Sequence, residues 1–202
     1  MDVSKFIMIV ISAVLINNFI LSKFLGLCSF IGVSKETKPA LSMGLAVTFV
    51  TTMASIISWL IYNYILLPYN LTYLRTISFI LVIASFVQFV EIVIQKTSPF
   101  LFRAFGIYLP LITVNCAVLG VAVLNSDIFF SNGKVLPYSF ISSLIQGFSA
   151  GVGYMLAMFL MSGIRERLDL INVPESLKGI PITFIIAALM SMAFLGFSGF
   201  TL

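Results

Sequence analysis

The sequence predicts an all-α integral membrane protein: six transmembrane helices arranged as two inverted three-helix repeats, with spans one and four broken near the cysteines. Three observations lead there. The 202 residues are 60% hydrophobic and only 9% charged, with a mean hydropathy of +1.16, whereas soluble domains are roughly 45–50% apolar and about 25% charged. Six apolar stretches, near residues 5–27, 40–65, 74–95, 100–124, 138–162 and 180–201, approach the ~20 residues needed to cross a hydrocarbon core. Finally, Cys28-Ser29-Phe30-Ile31-Gly32-Val33-Ser34 and Cys116-Ala117-Val118-Leu119-Gly120-Val121-Ala122 share Cys, Gly and Val at identical offsets, and they hold the only two cysteines.

Span one begins with an apolar run that a signal peptide would also show, but Asn17, Asn18 and Lys23 follow with no small-residue cleavage pattern, so the segment is expected to stay. The span continues through Gly26 to Cys28. Span two ends in Trp59, Tyr62, Tyr64 and Tyr69, amphipathic rings expected at the outer headgroup level. Span three carries Gln88 and Glu91 three residues apart on one helix face. Hydration of Glu91, or pairing with Lys96 or Arg103, is the simpler reading; a place on an ion path is the sharper one. Span four has Gly106, Pro110 and Asn115 ahead of Cys116. Proline removes a backbone donor, glycine loosens a helix, and a buried asparagine can satisfy freed backbone groups, so a break is expected there. In span five, Gly147-x-x-x-Gly151 with Gly153 and Gly163 forms a small-residue face suited to close helix approach. Span six is a last apolar run after Lys178, and the twenty phenylalanines are spread through all the spans without marking a cofactor pocket.

The basic residues set the orientation. Lys23, Lys35, Lys38, Lys96, Arg103, Arg165, Arg167 and Lys178 fall on one face, against Lys5, Arg75 and Lys134 on the other. The positive-inside rule then places the first group in the cytoplasm and both termini outside. The net charge of +4 lies in short loops and not in a patch, so it reports orientation and excludes nucleic-acid binding. Three spans per half make residues 1–98 and 99–202 an inverted pair within a single membrane domain, and such repeats place binding sites near the midplane.

Few residues offer chemistry. The chain lacks histidine, a Walker A sequence and a dinucleotide fingerprint. A free cysteine is ordinarily a small buried hydrophobe, but the repeated context of Cys28 and Cys116 points to a paired metal or redox site. A disulfide fits poorly at the midplane. Thiolate ligation of iron or of an iron–sulfur cluster fits better, and because a [2Fe–2S] cluster takes four cysteines, two must come from another polypeptide. Asn17 and Asn18 are read as helix glue or backbone satisfiers, with an ion ligand as the alternative. The stretch Arg165-Glu166-Arg167-Leu168-Asp169 is read as a solvated turn that could also dock a cytoplasmic partner.

Several blocks then become familiar: Asn17-Asn18-Phe19, Lys23-Phe24-Leu25-Gly26-Leu27-Cys28, Gly32-Val33-Ser34-Lys35, Leu109-Pro110-Leu111-Ile112-Thr113, Asn115-Cys116-Ala117-Val118-Leu119-Gly120, Gly163-Ile164-Arg165-Glu166-Arg167 and Gly196-Phe197-Ser198-Gly199. Along nearly its whole length the chain resembles the RnfA family, the A subunits of the Rnf (also Rsx) electron-transport complexes. A sibling family, the E subunits of the sodium-translocating NADH:quinone oxidoreductases, is also similar. Leu74-Arg75-Thr76 and Lys96-Thr97-Ser98-Pro99 favour the Rnf member. The resemblance implies a multi-pass protein of the bacterial inner membrane, paired with the homologous Rnf E subunit of opposite topology and joined by the B, C, D and G subunits. It also implies that Cys28 and Cys116 bind a [2Fe–2S] cluster shared with that partner. The complex would pass electrons between ferredoxin and NAD and couple them to movement of sodium ions or protons. Nucleotide and flavin sites would lie on sister subunits. A secondary transporter or channel component, or a purely structural anchor for redox proteins, are the readings it competes with.

Overall fold

The structure is a computed structural model that describes residues 3–69, 71–97, 111–112, 114–129, 139–171, 174 and 178–196. Among these the chain is helical and contains no strand. Seven α-helices follow in order: α1 (Val3–Ile11), α2 (Leu27–Val33), α3 (Thr37–Ile61), α4 (Arg75–Thr97), α5 (Cys116–Phe129), α6 (Ser139–Leu168) and α7 (Ile180–Leu195). Wide π-type turns extend α1 over Ser12–Ile16 and α3 over Tyr62–Leu66. Thr37–Leu66, Arg75–Val93 and Ser139–Leu168 are long and apolar enough to cross a membrane, and Phe6–Ile16, Cys116–Ile128 and Ile180–Leu195 are shorter apolar helices. Gly106, Pro110, Arg103, Lys134, the first part of predicted span four and the end of span six lie outside the described residues.

The centre of the bundle is the pair α3 and α6, and small residues allow their close approach. A Cβ on Gly151 would lie 2.6 Å from Thr48 Cα, and one on Gly44 would lie 2.8 Å from Met155 Cγ. Gly147 faces the Ser55 hydroxyl directly. Of the glycine face read from the sequence, Gly147 and Gly151 therefore form the packing seam with α3, Gly153 lies against Ala13 and Val14, and Gly163 is open, with nothing within 4 Å of a Cβ. Because the obstacle at Gly151 is backbone, Gly151→Ala must push the helices apart. A loss of about 1–3 kcal/mol is expected from overpacking, read as a lower Tm of the purified protein. An unchanged Tm would mean that α3 and α6 do not meet there.

Around this pair, α2 contributes Phe30 and Val33, α5 contributes Val118 and Ala122, and α7 contributes Ile186 and Met190 to one continuous apolar core. Helix α4 is peripheral, with 17% of its apolar window buried, and Ile77, Leu81 and Phe89 point outward. Such large apolar faces suit lipid or another membrane protein. Glu91 is half-buried on α4 and Gln88 is exposed.

Two expectations are corrected at the helix ends. Arg165 and Glu166 are not in a turn: they belong to the last turns of α6, where Glu166 stays exposed to solvent, and both bond to the α2–α3 connection. Arg165 Nη1 donates to Ile31 O at 2.7 Å and to Ser34 Oγ at 2.9 Å, and Glu166 Oε1 accepts from Thr37 N at 2.8 Å and Thr37 Oγ1 at 2.6 Å. A cation therefore meets the carbonyl end of α2 and an anion meets the amide end of α3, the arrangement that helix dipoles favour. The aromatic belt is only partly outward. Tyr64 and Tyr69 are exposed, but Tyr62 is buried and Trp59 donates from Nε1 to Ser139 Oγ at 3.0 Å while stacking edge-on to Phe140. The indole N–H thus finds a partner inside the bundle, which competes with the headgroup region for it. Arg75 and Asp127 form an ion pair between the start of α4 and the end of α5.

Candidate functional site

Both cysteines lie at the start of a helix, immediately after an irregular stretch: Cys28 is the second residue of α2 and Cys116 the first of α5. The break ahead of Cys28 spans residues 17–26, and side chains satisfy much of its freed backbone. Asn18 does the most. Its Nδ2 donates to Val14 O at 3.1 Å and to Gly153 O on α6 at 2.8 Å, while its Oδ1 accepts from Ile20 N at 3.1 Å. The helix-glue reading of Asn18 therefore holds. Asn17 Nδ2 bonds only locally, to Ser12 Oγ at 3.1 Å. From α7, Ser191 Oγ donates to Leu21 O at 2.5 Å. Unwound backbone within an apolar bundle persists only with such partners.

The break closes through two left-handed residues, Phe24 (φ 56°) and Gly26 (φ 83°). Gly26 is also tightly surrounded: a Cβ there would lie 3.2 Å from each of Ala117 Cβ, Asn115 Oδ1 and Tyr154 Cε2. This close approach brings the two cysteine-bearing segments together. Gly26 N–H donates to Cys116 Sγ at 2.9 Å, and Leu25 packs over Gly120, whose Cβ would meet Leu25 Cδ1 at 2.5 Å. On the other side, Asn115 caps α5 by accepting Ala117 N–H on Oδ1 at 3.0 Å, the usual way an asparagine satisfies an orphan helix amide.

A small buried network ties this junction to α6. Ser29 Oγ lies 2.9 Å from Gly26 O, 2.6 Å from the Tyr154 hydroxyl and 3.4 Å from Asn115 Nδ2. Sequence reading missed Ser29 and Tyr154. A phenol in the middle of an apolar, glycine-lined helix was the available signal, since a buried O–H requires a partner.

The thiols themselves are free and exposed, unlike the buried, inert cysteine of an ordinary core. Soft, accessible sulfurs on helix starts, one of them receiving an N–H···S bond, suit an iron–sulfur centre. Among the described residues no group of three or more His, Cys, Asp or Glu side chains is placed to hold a metal ion.

Comparison with known proteins agrees with this architecture. The family model described as "Rnf-Nqr subunit, membrane protein" matches residues 6–201. The A subunits of the ion-translocating oxidoreductase complexes of Escherichia fergusonii and of Escherichia coli strain K12 are each 55% identical over 196 residues, which is 97% of this chain and 97% of the relative. The protein of the same name from Shigella boydii serotype 18 has the same identity and coverage. An apolar helical bundle matched by this family over nearly its full length belongs to the Rnf-Nqr family of membrane proteins.

Proposed function

We propose that the chain serves as the A subunit of an ion-translocating oxidoreductase complex in the bacterial inner membrane. In this reading Cys28 and Cys116 supply two of the four thiolates of a [2Fe–2S] cluster, and the homologous E subunit, of opposite topology, supplies the other two. The observation that carries it is the placement of two exposed thiols on helix starts that meet at a break, with Gly26 N–H donating to the Cys116 sulfur. A bound cluster of this type provides a one-electron carrier in the middle of an insulating layer.

The chain's own residues prepare that place. Asn115 fixes the first turn of α5 and with it the place of Cys116. Gly26 adds a directed donor to the same sulfur, and a hydrogen bond to a charged acceptor is about twice as strong as a neutral one. Leu25, Ala117 and Tyr154 exclude water from the inner side of the junction. Electron transfer between ferredoxin and NAD, coupled to sodium or proton movement, belongs to the assembled complex with its B, C, D and G subunits. The six-span inverted repeat, with both termini outside the cytoplasm, is part of the same reading.

Sharing of the site has a direct test. Thiolates on one cluster lie within a few ångströms of each other, so stripping the iron from the purified complex and oxidising it should link this chain to its partner. A covalent two-chain species on a non-reducing gel is expected, lost when Cys28→Ser and Cys116→Ser are combined. Absence of any disulfide that depends on Cys28 or Cys116, or a two-chain species that persists in the double variant, would contradict a shared site.

A further inference from the structure

We propose that Tyr154 is a positioning residue: acting through Ser29, it holds Gly26 N–H against the Cys116 sulfur and so raises the reduction potential of the centre bound there. The positional part stands on the geometry alone, and the effect on potential rests on the cluster reading above.

The hydrogen bonds have a direction. A serine hydroxyl carries one proton. The Ser29 proton has an acceptor in Gly26 O at 2.9 Å, which leaves the 2.6 Å contact with Tyr154 as a phenol O–H donating to Ser29 Oγ. Asn115 Nδ2 approaches the second lone pair of the same oxygen at 3.4 Å. In this assignment both hydroxyl protons have an acceptor, as burial demands: Tyr154 is 2% exposed and Ser29 fully buried. The chain of contacts runs from Tyr154 on α6, through Ser29 on α2, to the carbonyl of Gly26.

Gly26 is where restraint matters. Its left-handed conformation (φ 83°) is one that an unrestrained glycine shares with many others. The same residue carries the N–H that donates to Cys116 Sγ at 2.9 Å, so a shift of the Gly26 backbone moves that donor. Tyr154 restrains it twice, with the ring edge forming one wall of the slot and the hydroxyl anchoring the carbonyl side through Ser29. Hydrogen bonds to ligand sulfurs are among the factors that set iron–sulfur potentials, because they stabilise the more negative, reduced state.

Tyr154→Phe keeps the ring and removes only the hydroxyl; Ser29→Ala breaks the same path one link later. Both are made in the complete complex in lipid nanodiscs and read in two ways. The first is amide hydrogen exchange of the peptide containing Gly26, which requires no metal. The second is redox titration of the EPR signal that Cys116→Ser removes. The expected result is assembled complex, exchange at Gly26 about tenfold faster, the size of one net hydrogen bond, and a midpoint potential moved to more negative values. The double variant should move it no further than either single one, since both act on one path. Unchanged exchange at Gly26 in both variants would overturn the positioning role. Faster exchange with an unmoved potential would overturn the tuning step. If Cys116→Ser removes no signal at all, the cluster reading fails, and the exchange data still decide the positioning role.

Discussion

Serine at position 28 or at position 116 is expected to abolish electron transfer through the assembled complex while leaving the chain folded in the membrane. Sulfur to oxygen is a small change of shape at an exposed position, and exposed substitutions away from special features usually cost within about 0.5 kcal/mol. A packing role would therefore tolerate it. A ligand role would not, because a serine hydroxyl stays protonated where a thiol ionises, and soft iron–sulfur chemistry selects thiolate. The two cysteines occupy matching places, each at a helix start after a break, so the two single variants should be equally inactive. Ferredoxin- or NAD-linked turnover, normalised to the subunit content of the purified complex, makes the comparison.

Gly26→Val is expected to be the most damaging change outside the cysteines. A branched residue at φ 83° meets a left-handed penalty of roughly 1–2 kcal/mol, and overpacking adds about 1–3 kcal/mol. The atoms displaced are those of Asn115 and Ala117, which hold the start of α5 and with it Cys116. Loss of the protein from membranes, or its retention without the Cys116 contact, should follow, seen as a fall in abundance by immunoblot. Gly32→Ala provides the contrast, since nothing lies within 4 Å of a Cβ there. Equal tolerance of both changes would contradict the close approach at Gly26. The contrast also bears on the repeated heptads, because Gly32 is open whereas its counterpart Gly120 is covered by Leu25.

The parts of the fold that were legible in the sequence are those governed by local chemistry. Apolar runs marked the helices because a membrane-spanning backbone must satisfy itself within the segment. Asn17, Asn18, Gly26 and Asn115 announced the breaks because polar and flexible residues are costly in apolar helices without a task, and Asn18 and Asn115 do bond freed backbone groups. Gly147 and Gly151 announced the α3–α6 seam in the same way.

What escaped the sequence depends on residues far apart in the chain. Arg165 and Glu166 at a helix end look alike whether they face water or clamp another connection; only the approach of Ser34 and Thr37 decides it. Trp59 and Tyr62 had the composition of an interfacial belt, but Ser139 gives the indole N–H a partner within the bundle and Phe79 packs against the buried Tyr62 ring. The Ser29–Tyr154 pair had no local pattern, and its meaning emerges only when α2 and α6 enclose Gly26.

The measurement that bears most directly on the central claim is the iron content and reduced-state EPR spectrum of the purified complex, for wild type, Cys28→Ser and Cys116→Ser, after all subunits are shown to be present. Difference spectra separate this centre from others in the complex. The account predicts that each variant loses about two irons and the same single signal. Full iron and an unchanged spectrum in both variants would contradict it, and would make the paired cysteines a feature of packing.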